Sequence, residues 1–173
     1  RAEKYRAHIA DFPDLKTIGV SGAGHMGSCI AHVCALAGYD VILQDIAEAQ
    51  LEKGLAGIDK NLQRAVDKGK LSAEDKQAAL GRISTSTELS AFGSCQLVIE
   101  AAVEVEEIKK SIFQELCPHL SEDAIICTNT SSISVTRLAT SSDRPERFMG
   151  MHFMNPVPVM QLVELIRGIA TGE

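Results

Sequence analysis

The sequence predicts an α/β fold: a doubly wound, mainly parallel sheet with helices on both faces. Three observations carry this. Short apolar runs of strand length recur at Thr17–Ser21, Asp40–Leu43, Leu97–Glu100, Ile125–Thr128, Phe148–Phe153 and Leu162–Ile166. Helical stretches separate most of them, and that alternation implies parallel pairing. Finally, Gly22-Ala23-Gly24-His25-Met26-Gly27 stands between the first strand and a helix-forming run, Ser28–Ala37, the context in which G-x-G-x-x-G has a physical meaning.

Taken in order, the first strand feeds this glycine loop. Gly22 turns the chain tightly, Gly24 lets a pyrophosphate approach the backbone, and Gly27 lets helix and strand pack closely. The anion then sits on the helix N-terminus, where backbone N–H groups and the helix dipole favour it. The second strand ends at Asp45, eighteen residues beyond Gly27, close to the offset at which an acidic residue takes ribose hydroxyls. Together these predict a Rossmann-type site for a nicotinamide or flavin dinucleotide. A long connection follows. Leu51, Leu55, Ile58, Leu62 and Val66 mark one amphipathic helix before the break at Lys68-Gly69-Lys70. Ser72 with Asp75 resembles a capping box opening a second helix that ends near Gly81. This helix-pair insertion after the second strand is either a solvated excursion over the sheet edge or an arm that contacts substrate. Beyond it, Ile108, Ile112, Phe113 and Leu116 give Glu106–Leu116 a helical face, closed by Pro118.

Composition narrows the function. The 173 residues and 45% hydrophobic content suit one domain, and the net charge of −6 argues against a sequence-independent grip on nucleic acid. Cys29, Cys34, Cys95, Cys117 and Cys127 are odd in number and lack C-x-x-C spacing, so buried reduced thiols in a reducing compartment are expected rather than disulfides or a metal site. No apolar run approaches the ~18 residues of a membrane span, and no signal-peptide pattern opens the chain. A soluble, intracellular protein acting on small molecules is the expectation, with no nucleic-acid or membrane partner.

Several polar residues fall where chemistry occurs in such folds, beyond the carboxyl ends of strands. His152 lies near the end of the Phe148–Phe153 strand, and Glu164 interrupts the apolar run Leu162–Ile166 twelve residues later. Pro156 and Pro158 break the strand between them, so the chain can return and bring the two side chains together. A carboxylate beside a histidine fixes one ring nitrogen as a donor and stabilises the imidazolium, which is the logic of a general base. By residue type alone, Asn129-Thr130-Ser131-Ser132 reads as a helix cap, and Glu104 with Lys109 as a solvated surface pair. His8, His25, His32 and His119 show no metal-ligand spacing, and His25 belongs to the fingerprint loop through its backbone.

Four segments together resemble the NAD-dependent L-3-hydroxyacyl-CoA dehydrogenases: Gly22–Gly27, Glu100-Ala101-Ala102-Val103-Glu104, Asn129-Thr130-Ser131-Ser132-Ile133-Ser134, and Gly150-Met151-His152-Phe153-Met154-Asn155-Pro156-Val157-Pro158-Val159-Met160. The resemblance runs from about Lys16 to Glu173. It implies oxidation of a 3-hydroxyacyl-CoA to the 3-keto product, as in fatty-acid β-oxidation or butanoate metabolism, with NAD as cofactor. It implies His152 as general base, Glu164 as its orienting carboxylate, and Ser131 as the residue that bonds the substrate oxygen beside the nicotinamide. The fingerprint residues Gly22, Ala23, Gly24, His25, Met26 and Gly27, with Asp45, Glu104, Lys109, Ser131 and Asn155, are the implied cofactor contacts. Asn61 and Lys68 occupy the stretch that touches CoA in the family.

Ser21 and His25 depart from the family's usual apolar or small residues. The family's helical C-terminal domain, which completes the acyl site and forms the homodimer, is absent from these 173 residues, so residues 16–173 read as the NAD-binding domain. Residues 1–15 read as an N-terminal extension or the tail of a preceding domain. The implied location is the cytoplasm, or the mitochondrial matrix in a eukaryote. Two other readings share the fingerprint: a non-catalytic structural module of the same fold, as in a lens crystallin, and a dehydrogenase of a sugar acid such as gulonate.

Overall fold

The computed structural model describes residues 15–173. The expected N-terminal extension, save Leu15, and with it His8, lies outside the described residues. Seven strands form one sheet: β1 (Thr17–Ser21), β2 (Asp40–Gln44), β3 (Ile83–Ser86), β4 (Leu97–Glu100), β5 (Ile125–Thr128), β6 (Phe148–Phe153) and β7 (Val163–Arg167). Their order is β3-β2-β1-β4-β5-β6-β7. All neighbours pair in parallel except β7, which returns antiparallel to β6.

Alternation along the strands divides the core. On β1, Ile18 and Val20 point to one face, as do Leu97 and Ile99 on β4 and Cys127 on β5. Val98 and Ile126 point to the other, where they meet Phe92, Phe113, Leu116 and Phe148. Two buried faces require two helix layers, which is why period-2 alternation here yields a doubly wound sheet. Gly19 belongs to the second face, where a Cβ would lie 2.5 Å from the ring of Phe92. Phe113 and Phe148 seal the same layer edge to face, with ring centroids 4.8 Å apart.

The helices are α1 (His25–Leu36), α2 (Glu48–Asp67), α3 (Ala73–Gly81), α4 (Glu106–Leu116) and the short α5 (Val135–Ala139). Helix α1 begins three residues before the expected run, so the fingerprint supplies its first turn. The expected cap on α3 is present, with Ser72 Oγ accepting from the Asp75 N–H at 3.0 Å. The helix pair α2–α3 packs on α1 and delivers the chain to β3, an edge strand that the sequence did not suggest. Its residues, Ile-Ser-Thr-Ser, carry one apolar side chain, too few for periodicity to show. The strand exists because β2 offers a free edge, with which it pairs from Val41↔Ile83 to Gln44↔Ser86. Among the described residues no helix is long and apolar enough to cross a membrane.

Candidate active site

The carboxyl ends of β1, β4, β5 and β6 lie side by side, and the loops that leave them bring the predicted residues to one edge of the sheet. The fingerprint glycines have three distinct environments. Gly22 has φ +102°, and a Cβ there would lie 2.7 Å from the Ala101 carbonyl oxygen. A Cβ on Gly27 would fall 1.7 Å from the Gly22 carbonyl oxygen. One on Gly24 would meet nothing within 4 Å, so this glycine leaves space for a ligand where the others permit packing. Gly24 also caps α1 with no side-chain bond, and no acidic residue stands in the first turn. The helix therefore presents free N–H groups and an uncompensated positive dipole end to an anion. Met26 packs on the core and faces a ligand through its backbone, whereas Ala23 is buried with its N–H donated to Asp45 and its carbonyl accepting from Ser28 Oγ.

Asp45 leaves β2 beside this loop. Its Oδ2 accepts from the Ala23 N–H at 2.8 Å and its Oδ1 from the Ala47 N–H at 3.0 Å. Each oxygen keeps a lone pair for a further donor. The adjoining cleft, about 730 Å³, runs from Gly22 and Gly24 past Asp45 to Ala101, Val103 and Ile108. Ile46, Val103 and Ile108 are exposed at its rim, apolar surface suited to the faces of a flat base. Open glycine, free helix terminus, acidic residue and apolar walls fit a dinucleotide. Ser21, a departure from the family pattern, is buried at the floor of this cleft and its hydroxyl is taken up by Gln44 Oε1 at 2.9 Å.

On the other side of the fingerprint, His152 and Glu164 face each other in register across β6 and β7, as the proline break predicts. Nδ1 of His152 lies 3.0 Å from Glu164 Oε2, which leaves Nε2 for another partner. Glu104 reaches across from the β4 loop: it accepts from Thr130 Oγ1 and, through Oε2, from the Ser131 N–H at 3.2 Å. Ser131 is thus not a helix cap. That role falls to Ser134, whose Oγ accepts from the Arg137 N–H. Asn129 ties the ends of β5 and β6 by accepting from the Phe153 N–H at 2.9 Å.

Three predicted residues have unexpected neighbours. His25 contributes its side chain as well as its backbone, with Nε2 3.0 Å from Oδ1 of Asn155, linking the fingerprint to the β6–β7 loop. Lys109 does not pair with Glu104 on the surface. It is 1% exposed beneath the β4 turn, bonded to Glu100 Oε2 at 2.6 Å, and so stands below the cleft rather than in its wall. Asn61 lines a separate groove of about 320 Å³ between α1 and α2, with His25, His32, Lys53 and Gly57. Lys68 is not among the residues lining it; it caps the far end of α2. No motif or spacing along the chain marked His32 as part of this groove. It is buried with Nδ1 unpartnered, and burial pushes its pKa below the ordinary histidine value. Among the described residues no group of three or more His, Cys, Asp or Glu could hold a metal.

Comparison with known proteins agrees with this geometry. Residues 17–173 match the family model of the 3-hydroxyacyl-CoA dehydrogenase NAD-binding domain. A 3-hydroxybutyryl-CoA dehydrogenase of Bradyrhizobium diazoefficiens is 56% identical over 159 residues, 92% of this chain and 54% of that protein. One from Mycobacterium tuberculosis is 44% identical over 160 residues, 92% of this chain and 56% of that protein. The crystal structure of (S)-3-hydroxybutyryl-CoA dehydrogenase from Ralstonia eutropha superposes with a TM-score of 0.91 at 46% identity, covering 92% of this chain and 56% of that one. The chain therefore spans about half the length of these curated relatives. NAD is the cofactor that this fold, this cleft and this match share, and the chain belongs to the 3-hydroxyacyl-CoA dehydrogenase family, as its NAD-binding domain.

Proposed function

We propose that this chain is the cofactor-binding half of an L-3-hydroxyacyl-CoA dehydrogenase that oxidises the 3-hydroxyl to a ketone. The observation that carries the reading is the His152–Glu164 pair at 3.0 Å, standing at the same sheet edge as the dinucleotide fingerprint. With Nδ1–H donated to Glu164, the neutral ring carries its lone pair on Nε2, the atom free to accept the hydroxyl proton. Glu164 then stabilises the imidazolium that forms. Ser131, held by Glu104, directs its hydroxyl toward the substrate oxygen, and Asn155 holds the cofactor alongside. Bound NAD supplies the hydride acceptor. Asn61 in the α1–α2 groove, with Lys68 at the end of α2, contacts the CoA portion.

The relatives named above are called hydroxybutyryl-CoA dehydrogenases, which favours a hydroxyacyl-CoA over a sugar acid and an enzyme over a structural module. Dimerisation through a helical second domain and a cytoplasmic location complete the proposal. The test is an enzyme of the relatives' full length that carries this segment, assayed with NAD and 3-hydroxybutyryl-CoA. NADH formation at a rate typical of enzymes, at least about 1 s⁻¹, is expected; absence of turnover with intact NAD binding overturns the reading.

A further inference from the structure

We propose that the side chain of His25 is a positioning residue for the nicotinamide half of the cofactor: its ring turns the Asn155 amide so that the amide N–H donors, and not its oxygen, face bound NAD. The ring acts through Asn155 and does not itself touch the ligand. The inference rests on the reading above that Asn155 contacts NAD.

The sheet order gives the cofactor a direction. Asp45 after β2 suits the adenosine ribose, the fingerprint after β1 suits the pyrophosphate, and His152 on β6 marks where the hydride acceptor must stand. Asn155, three residues beyond His152, therefore lies on the nicotinamide side. The backbone that carries it is anchored on both flanks. The Phe153 N–H donates to Asn129 Oδ1 at 2.9 Å, and Val157 is 4% exposed in the core cluster that also holds Cys29 and Ile30 of α1. What these anchors leave free is the Asn155 side chain, and His25 takes it, with Nε2 3.0 Å from Oδ1. His25 is well placed to do so, because it follows Gly24, the glycine whose missing Cβ leaves the ligand space.

Hydrogen-bond chemistry makes the contact directional. A carboxamide oxygen only accepts, so Nε2 of His25 is the donor. The carboxamide nitrogen stands on the other side of Cγ from that oxygen, so both N–H donors of Asn155 are turned away from the ring and kept for an acceptor on the ligand. Without a donor at position 25 the amide, nearly symmetric in shape, rotates and presents oxygen as readily as nitrogen. Fixing the rotor beforehand removes that ordering cost from binding. The contact does little for the fold itself. Both side chains are exposed, where a hydrogen bond replaces equivalent bonds to water and its net contribution to stability is small.

The experiment measures dissociation constants of this chain by calorimetry, for NAD and for ADP, at a temperature where circular dichroism shows each variant folded. ADP carries the adenosine and the diphosphate without the nicotinamide riboside. His25→Leu is expected to weaken NAD about three- to tenfold, the contribution of one hydrogen bond, and to leave ADP within about twofold of wild type. His25→Gln, whose amide nitrogen stands in for Nε2, is expected to bind NAD within about twofold of wild type. Asn155→Ala is expected to weaken NAD at least as much as His25→Leu. The double variant His25→Leu/Asn155→Ala should then bind as Asn155→Ala does, since a residue that acts through another adds nothing once that other is gone. Losses that multiply in the double variant show His25 touching the ligand and overturn the proposal. So does an equal loss for ADP, the outcome of a disturbed fingerprint loop, and so does a His25→Gln chain as weak as His25→Leu. Should His25→Leu fail to fold, His25→Ala takes its place with the same expectations. A wild-type chain that does not bind NAD, or an Asn155→Ala chain that binds it normally, overturns the cofactor reading underneath. Loss in Asn155→Ala with none in His25→Leu overturns this proposal alone.

Discussion

His152 and Glu164 are brought together by one strand return, which places them opposite each other on β6 and β7. Loss of a general base costs typically about 10² to 10⁴ in rate, so His152→Ala in a full-length enzyme is expected to lower kcat by that order. Glu164→Gln, which keeps a partner on Nδ1 without the charge, is expected to lose less than Glu164→Ala. Neither residue lines the cofactor cleft, so NAD affinity should stay within about twofold; stopped-flow turnover beside calorimetry checks the split. Asp45 sets a second expectation. A ribose 2′-phosphate placed about 4 Å from its carboxylate would meet a repulsion of about 4 kcal/mol at an effective dielectric near 20, less with solvent exposure. NAD should therefore bind far more tightly than NADP, and Asp45→Asn should narrow the gap; equal affinities in the wild type would remove Asp45 from cofactor selection.

At the scale of elements, the two glycines of α2 separate packing from propensity. Gly54 faces α1, where a Cβ would stand 2.6 Å from Ser28 Oγ, whereas a Cβ on the exposed Gly57 would meet nothing within 4 Å. A helix-interior glycine is destabilising by roughly 0.5 to 1 kcal/mol relative to alanine. Urea denaturation should therefore show Gly57→Ala stabilised by about that amount. Gly54→Ala should be destabilised, because the contact must be relieved by moving a helix or a buried serine. The same helix pair shows the limits of pattern reading. Its apolar face at Leu51, Ile58 and Leu62 was legible and is buried, and so was the Ser72 cap. What it leads to was not, since β3 is specified by the open edge of β2 rather than by its own residues.

For the whole molecule, the residues that shape the cofactor cleft are all among those described, while the β7 edge of the sheet is uncovered. Every residue of β7 is exposed, and Leu162, Val163, Leu165 and Ile166 present apolar surface at that end of the sheet. We expect the 173-residue chain to bind NAD in calorimetry and to show little or no turnover of 3-hydroxybutyryl-CoA, because water is not excluded and the hydroxyl carbon is not held in place. Turnover at the level of a full-length relative would show that the substrate site is complete without further chain. The core predicts its own pH response. Burial raises the thiol pKa of Cys34 from 9.0 to about 11, and those of Cys95 and Cys127 from 9.0 to about 12. Ionisation of these thiols favours the unfolded chain once pH exceeds the unfolded value, so stability is fully present below about pH 9 and is lost as pH rises toward the folded values. Urea midpoints should fall between pH 8 and pH 10.5, and iodoacetamide should label these three thiols at pH 8 only after unfolding.

The sequence by itself determined the fingerprint loop, Asp45, the strand-and-helix alternation and the pairing of His152 with Glu164, because each depends on local chain geometry or on one short return. Only the tertiary structure decided the fate of Lys109, the edge strand β3, and the reach of His25 to Asn155 across 130 residues. Lys109 reads as a surface lysine on an amphipathic helix until β4 and β5 close over it and supply Glu100 and Thr128. A buried charge is defined by what covers it, and the cover comes from segments that no periodicity along the chain connects.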